Sequence, residues 1–522
     1  MYKIAFIKQI WYIINKEVKR GNKMKYFKLL LLILIMLFVV GCTDPSTPNE
    51  PTTPNIPTNP DTPVVPEKPS DPVKTYKITC IGKYGDIIDV VEVEEGKSAV
   101  LPDAPKIKYQ DFTGWDQDTT NVTSDMTINA QYKMSSDEFL NNDPNYWLRL
   151  LSNKYDITKP LLSEDQIIEY NKNIVEGNSQ TKVVDVLTLE KVVNADYVKG
   201  LINSYSNINK YTVYSNETNN ALTSLEKDEI LENRNLNNVN LTINVGFGLI
   251  VDFAWMRTYP TNNYSSTYDK DRFQETSLNV GEPVAIYHTS LDGMWSFVQA
   301  TNYYGWVENK YIGISTYEEV SSFVNANDKL VVISDSVLIE NAYVRMGQAL
   351  PLLNKEECYR ILFPTINEQG LLVLKEIDLE KNNDYSVGYL KYTYENLYLQ
   401  AFKLLGINYS WGDKEIDGRD CSSTQNSIYG SFGFKLPRNT GNQNSIPLYG
   451  TKFSSITTEN LKNNYKPGTL IFSSGHVMMY IGENHQGYSY IFHNTSAGQG
   501  KCILQKLNSY GVNKIIGTLK LQ

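Results

Sequence analysis

Histidine is the scarcest chemistry-bearing residue in this chain, with four in 522 residues. Any imidazole chemistry must use His288, His476, His485 or His493. Cysteine is almost as rare: five residues stand far apart at 42, 80, 358, 421 and 502. An odd, scattered set excludes a disulfide-stapled scaffold. Positive charge is also short, at 49 basic against 58 acidic residues and a net −9. That balance excludes general nucleic-acid binding, which needs a basic face. No apolar run reaches the roughly 20 residues of a membrane-spanning helix. No zinc motif, phosphate loop or dinucleotide fingerprint occurs, so no metal or cofactor is expected. What remains is 41% hydrophobic and 20% charged, ordinary for globular proteins, and long enough for three or four domains.

The longest apolar run is LLLLILIMLFVV at 29–40, preceded by Lys25 and Lys28. Its length suits the h-region of a signal peptide, and Met24 is the better-placed start. The run ends in Val39-Val40-Gly41-Cys42, which resembles the lipobox of bacterial lipoproteins. By that resemblance Cys42 becomes the lipidated first residue, and the chain an extracytoplasmic, membrane-anchored lipoprotein. An ordinary signal peptide or an uncleaved anchor is the alternative; all three export the rest. Between Pro45 and Pro72 ten prolines then recur every third residue. Polyproline II has three residues per turn, so the prolines share one edge and residues 43–74 form a stalk. A ligand for proline-binding modules is the rival reading.

Residues 75–133 alternate in short strand-like runs split by turn residues. They resemble the β-grasp-like repeat of bacterial surface proteins, either a spacer or a surface-partner module. Cys80 on the first run reads as a small buried hydrophobe. Residues 137–235 read as mostly helical. In LLSEDQIIEYNKNIV, Ser163 offers an N-cap with Asp165 and Gln166 just after it. From 236 the pattern turns to short strands in two stretches, 236–318 and 319–385. In the first, Gly281, Trp295 and the closing YYGWV resemble bacterial SH3-like domains. The second resembles a degenerate companion. His288 sits on a strand of the first stretch and reads as structural.

The last stretch, 386–522, carries the chemistry. A helix is predicted over 386–405 from its apolar spacing. Cys421 follows a Gly-Arg-Asp turn, and Ile428 and Phe432 downstream share a helical face. Cys421 is therefore placed at a helix N-terminus, where the macrodipole is expected to lower its pKa. A thiolate is the attacking species of a cysteine hydrolase. KPGTLIFSSGHVMMYIGE reads as strand, turn, strand, with His476 opening the second strand and His493 ending the next. His476 is then the candidate base and His493 its orienter. His485 falls in a polar turn and reads as solvated. Cys358 and Cys502 read as packing residues.

Asp420-Cys421-Ser422, Gly475-His476-Val477 and His493, spaced 55 and then 17 residues apart, resemble the NlpC-type cell-wall peptidases. Tyr409 in YSWG, LPRNT at 436–440 and KPGTLIF match further elements of that family. With the helical segment and the paired SH3-like stretches, the chain resembles the subgroup of γ-D-glutamyl-diamino-acid endopeptidases. The resemblance implies a papain-like α+β catalytic domain and a Cys421-His476-His493 mechanism on peptidoglycan stem peptides. It implies that Tyr409 shapes the oxyanion side and that Asp420 and Ser422 grip the peptide's N-terminal end. It makes Glu275 and Tyr303 candidates for a lip over the cleft. Two positions depart from the pattern. Asn439 replaces a carboxylate that would pair with a free peptide amine, and Thr469 replaces the usual Asp after Pro-Gly.

Three functions follow from the sequence. One is a lipid-anchored cysteine peptidase; another is an N-acetylmuramoyl-alanine amidase or acyltransferase on the same framework. The third is a non-catalytic surface-binding protein. The complete Cys421, His476 and His493 set favours the first two, and the SH3-like pair favours the first. The sequence leaves open the diamino acid, the oligomeric state and whether the cleft accepts intact wall.

Overall fold

The computed structural model describes residues 73–82, 86–105, 110–134, 141–267, 270–446, 450–452, 456–497, 500–515 and 517–521. The leader-like run, Cys42 and the proline series through Pro72 lie outside the described residues.

The first described module is a four-stranded sheet of β1 (Thr75–Ile81), β2 (Ile87–Glu94), β3 (Gln110–Trp115) and β4 (Met126–Met134), ordered β2-β1-β4-β3. Strand β1 runs antiparallel to β2 and parallel to β4. Cys80 is fully buried there with Ile78, Val93, Val122 and Ile128.

The helical stretch contains α1 (Pro144–Ser152), α2 (Glu164–Glu176), α3 (Ala195–Asn203) and α4 (Ser224–Asn233). Helix α2 starts at Ser163 in a reciprocal capping box with Gln166, which satisfies two otherwise orphaned amides. These helices are too short to bury their apolar faces against one another. Trp147, Leu148 and Leu151 of α1 instead join the C-terminal core beside Leu397, Tyr398 and Phe492. Val198 and Ile202 of α3 join Phe247, Tyr287 and Trp306 in the next domain.

That next domain, the first β-domain, is a seven-stranded sheet. Its strands are β5 (Gly246–Ile250), β6 (Ala254–Arg257), β7 (Gln274–Leu278), β8 (Pro283–Thr289), β9 (Trp295–Gln299), β10 (Tyr304–Glu308) and β11 (Ile312–Ser315). They are ordered β7-β6-β10-β9-β8-β5-β11. His288 spends its ring nitrogen on the carbonyls of Arg234 and Asn235, a structural role. The second β-domain begins with helix α5 (Tyr317–Val324). It has β12 (Lys329–Val332), the hairpin β13 (Ser336–Ile339) and β14 (Ala342–Arg345), then β15 (Ala349–Asn354), β16 (Tyr359–Ile366), β17 (Leu372–Leu379) and β18 (Tyr385–Val387). Cys358 is half-exposed beside Asp378 rather than packed in a core, because it precedes β16 in an exposed turn.

Residues 385–387 form β18 against β12, which shortens the helix predicted at 386–405. Helix α6 (Tyr394–Lys403) begins only where Thr393 caps the Asn396 amide. Helix α7 (Cys421–Gly430) and α6 pack on a six-stranded antiparallel sheet of β19 (Gly450–Lys452), β20 (Leu470–Ser473), β21 (His476–Glu483), β22 (Ser489–Asn494), β23 (Cys502–Lys506) and β24 (Gly517–Leu519). The order is β19-β24-β20-β21-β22-β23. Period-two alternation sends Val477, Met479 and Ile481 toward the helices, while Met478 and Tyr480 face a second core with Ile471 and Ile491. Each such buried aliphatic or aromatic side chain contributes roughly 1.5–3 kcal/mol. Cys502 is buried in the main core, as packing predicts.

Candidate active site

Asp420 fixes the start of α7. Its carboxylate accepts from the Ser423 amide at 3.0 Å, and Ser423 Oγ accepts from the Asp420 amide at 3.1 Å. Cys421 is thereby the first residue of the helix. Its sulfur lies 3.6 Å from Thr440 Oγ1 and accepts from the backbone of Val477. That second contact sets the thiol at the root of β21, the strand that His476 opens.

The histidines form a directed chain. His476 Nε2 lies 2.8 Å from His493 Nδ1, and His493 Nε2 lies 3.1 Å from Gln505 Oε1. An amide oxygen only accepts, so His493 carries its proton on Nε2 and its Nδ1 is bare. His476 must then donate from Nε2, which leaves His476 Nδ1 as the basic atom. The Tyr510 ring stacks on His476 and meets His493 edge-on, holding both planes.

The resting protonation differs from the sequence expectation. Burial first, and the Asp420 charge second, push the Cys421 thiol up to about 11. The helix dipole is worth about 0.3–2 kcal/mol and is outweighed. Burial pulls His476 down to about 4, against the opposite pull of Asp420. His493 falls to about 3, through burial and then His476. Both shifts favour the uncharged forms, thiol and imidazole, in the free protein.

Arg438 organises the other wall. It grips Asp420 with two nitrogens, at 2.6 and 3.1 Å, and donates to Ser422 Oγ at 3.0 Å and to Thr276 of β7 at 2.6 Å. Burial alone would raise the Asp420 carboxyl, but Arg438 and the serine hydrogen bonds hold it below its ordinary value. Glu275, the neighbour of Thr276, accepts from Tyr303 at 2.5 Å and Thr258 at 2.7 Å. Asn439 Nδ2 reaches Tyr303 Oη at 3.4 Å. Burial pushes the Glu275 carboxyl up, opposed by those two hydroxyls. Tyr409 is half-buried, and burial followed by the charge at Asp420 raises its pKa.

Tyr409, Asp420, Cys421, Ser422, Asn439, Glu275 and Tyr303 therefore line one cleft of about 590 Å³. His476 and His493 are not among its lining residues. His485 is exposed yet not simply solvated: its Nδ1 lies 2.7 Å from the Tyr146 hydroxyl, because α1 packs under its turn. Thr469 is buried ahead of β20, and its amide bonds back to Lys466.

Sequence reasoning missed four residues here. Gln505 carried a signal, since it shares a strand face with Ile503, which pairs with His493. Thr440 and Arg438 lie in LPRNT at 436–440, whose match to the family assigns neither of them a role. Asp413 carried none: it adopts a left-handed φ of 58°, and its carboxylate accepts from the Asp420 amide at 3.1 Å and from Ser423. The preceding Gly412 also has φ 61°, and a Cβ there would stand 2.7 Å from the Gln274 carbonyl oxygen. Only glycine lets this loop meet the first β-domain.

A helix-borne thiol against a sheet-borne histidine, in an α+β domain, defines a papain-like cysteine peptidase. Residues 406–511 match the NlpC/P60 family, and residues 261–308 match the SH3 domain of SH3b1 type. The chain is 26% identical over 239 residues to a gamma-D-glutamyl-L-lysine dipeptidyl-peptidase of Bacillus cereus, covering 41% of this chain and 67% of that protein. Its fold is similar to that of an NlpC/P60 endopeptidase from Photobacterium damselae subsp. piscicida, with a TM-score of 0.56 at 18% identity, over 70% of this chain and 93% of that one. The chain therefore carries an NlpC/P60 peptidase domain behind an SH3b-type domain, and it is a cysteine-type peptidase.

Proposed function

We propose that this chain is a membrane-tethered endopeptidase cutting the γ-D-Glu–diamino acid bond of peptidoglycan stem peptides. The family match and the named relative support a peptidoglycan endopeptidase. The observation that carries the reaction is the directed Gln505-His493-His476 chain, which leaves one basic nitrogen for the neighbouring thiol. His476 Nδ1 takes the Cys421 proton as Sγ attacks the γ-carbonyl. The Cys421 amide, with Tyr409 on the same side, steadies the oxyanion. His476 then returns the proton to the leaving amine, and the C–N bond breaks to a thioester. Water, deprotonated by His476, releases the acyl product and restores the thiol. Asp420, Ser422, Asn439, Glu275 and Tyr303 hold the acyl side of the substrate.

The test is a digest of L-Ala-γ-D-Glu-diamino acid peptides by the full chain and by Cys421→Ala, read by mass spectrometry. Release of the diamino acid end by the wild type alone supports the reading. Cleavage between sugar and L-Ala instead would make the protein an amidase. The tether rests on the Cys42 lipobox, and Cys42→Ser is expected to move the protein from the membrane to the soluble fraction.

A further inference from the structure

The cleft does not end at the residues that would hold L-Ala. It runs past Glu275 and Tyr303 to Tyr205 and Tyr211 of the helical stretch, and to Arg272 and Trp411. A cleft of about 590 Å³ lies within the ~300–1,000 Å³ range that encloses drug-sized ligands, more than an Ala-Glu dipeptide fills.

The carboxylates along the way are already engaged. Asp420 is bound by Arg438, and Glu275 by Thr258 and Tyr303. Position 439 is an amide. Asp420 is thus neutralised by a guanidinium, and an ammonium group entering here would meet only Glu275, whose carboxylate already accepts from two hydroxyls. An acylated nitrogen asks only for a neutral acceptor, which the exposed Asn439 side chain supplies.

Beyond that point the chemistry changes. The exposed Arg272 guanidinium lies 4.3 Å above the Trp411 ring, with no acidic partner among the described residues. Tyr211 and Tyr205 also line the cleft, the Tyr205 hydroxyl being spent on the Tyr304 carbonyl. Planar donors beside aromatic faces match a sugar ring, whose C–H face stacks and whose hydroxyl and acetamido oxygens accept.

We propose that this cleft takes stem peptides whose L-Ala nitrogen still carries a muramoyl sugar, with Arg272 and Trp411 forming the sugar-side subsite. The proposal rests on the peptidase reading above. It makes glycan-linked peptide, rather than released peptide, the preferred substrate.

The experiment compares kcat/KM of the full chain on one stem peptide in three forms: free amine, N-acetyl and N-acetylmuramoyl. The muramoyl form is expected to exceed the N-acetyl form by about tenfold, and Arg272→Ala to bring that ratio near one. Arg272→Gln, which keeps a planar donor, is expected to retain part of the ratio. The N-acetyl rate of each variant reports whether its centre is still assembled. Equal rates on muramoyl and N-acetyl peptides, preference for the free amine, or a ratio unmoved by Arg272→Ala overturns the subsite while the peptidase stands. Cleavage of none of the three overturns both.

Discussion

The two β-domains flank the same loop and use it differently. The first reaches residues 412–414 through Gln274 to the Gly412 carbonyl, Ser277 to the Asp413 carbonyl and Trp255 to the Lys414 carbonyl. It also sends Glu275 and Tyr303 into the cleft and Thr276 to Arg438. The second lines no part of that cleft. Its Arg345 donates to the Gly418 carbonyl, its Asp335 pairs with the buried Arg419, and its Gly347 packs against Gly430 at the end of α7. Two neighbouring β-domains thus divide the work. One supplies side chains that line the cleft, and the other braces the helix that carries Cys421.

Both converge on Asp413. Arg438 stands 3.7 Å and Arg345 3.8 Å from its carboxylate. Asp413→Ala leaves these buried guanidiniums short of a counter-charge and places a non-glycine residue without side-chain hydrogen bonds at φ 58°. The expected loss is about 3–5 kcal/mol of unfolding free energy, measured by urea denaturation. A loss under about 1 kcal/mol would break the idea of a shared node.

The division itself is tested by paired variants. Glu275→Ala in the first β-domain is expected to lower kcat/KM roughly tenfold by freeing the Tyr303 and Thr258 hydroxyls that it holds at the cleft, with a smaller loss of stability than the brace variant. Asp335→Ala in the second is expected to cost about 2–3 kcal/mol by leaving Arg419 unpaired, with kcat/KM of the folded protein unchanged. The reverse pattern would show that the second domain, not the first, faces substrate.

Much of this was legible in the sequence, and the illegible part has physical causes. Cys421 after an N-capping aspartate and His476 opening an alternating strand are local patterns, and local patterns survive in one dimension. The cleft residues Glu275 and Tyr303 came from resemblance, since no spacing ties them to Cys421. The helix at 386–405 was overlong because β18 pairing, a tertiary event, claimed its first residues. The thiol's protonation was misjudged because a helix dipole is visible in sequence whereas burial is not. Asp413 was invisible because its role depends on arginines from two other segments.

That burial makes the neutral centre testable and gives the finest probe of the two domains. His476 is held near 4, below the roughly 6.5 of an unfolded histidine. The folded state therefore takes up fewer protons than the unfolded state between those values, so stability falls as pH drops from about 6.5 toward 4. In the same way, the acid limb of kcat/KM in the free enzyme is expected near 4, where His476 gains the proton that blocks it as a base. An acid limb near 6.5 would mean that burial does not depress His476. An alkaline limb well below the thiol's value of about 11, where an imidazolium would lose its proton, would mean that the centre rests as an ion pair. The charge at Asp420 is what pulls His476 upward, and Arg438, steadied by Thr276, offsets it. Thr276→Val should loosen that guanidinium and move the acid limb up by a few tenths of a pH unit. Asp335→Ala, which touches only the brace, should leave the limb in place. A limb that moves equally in both variants would mean that the two domains act on the centre through the same path.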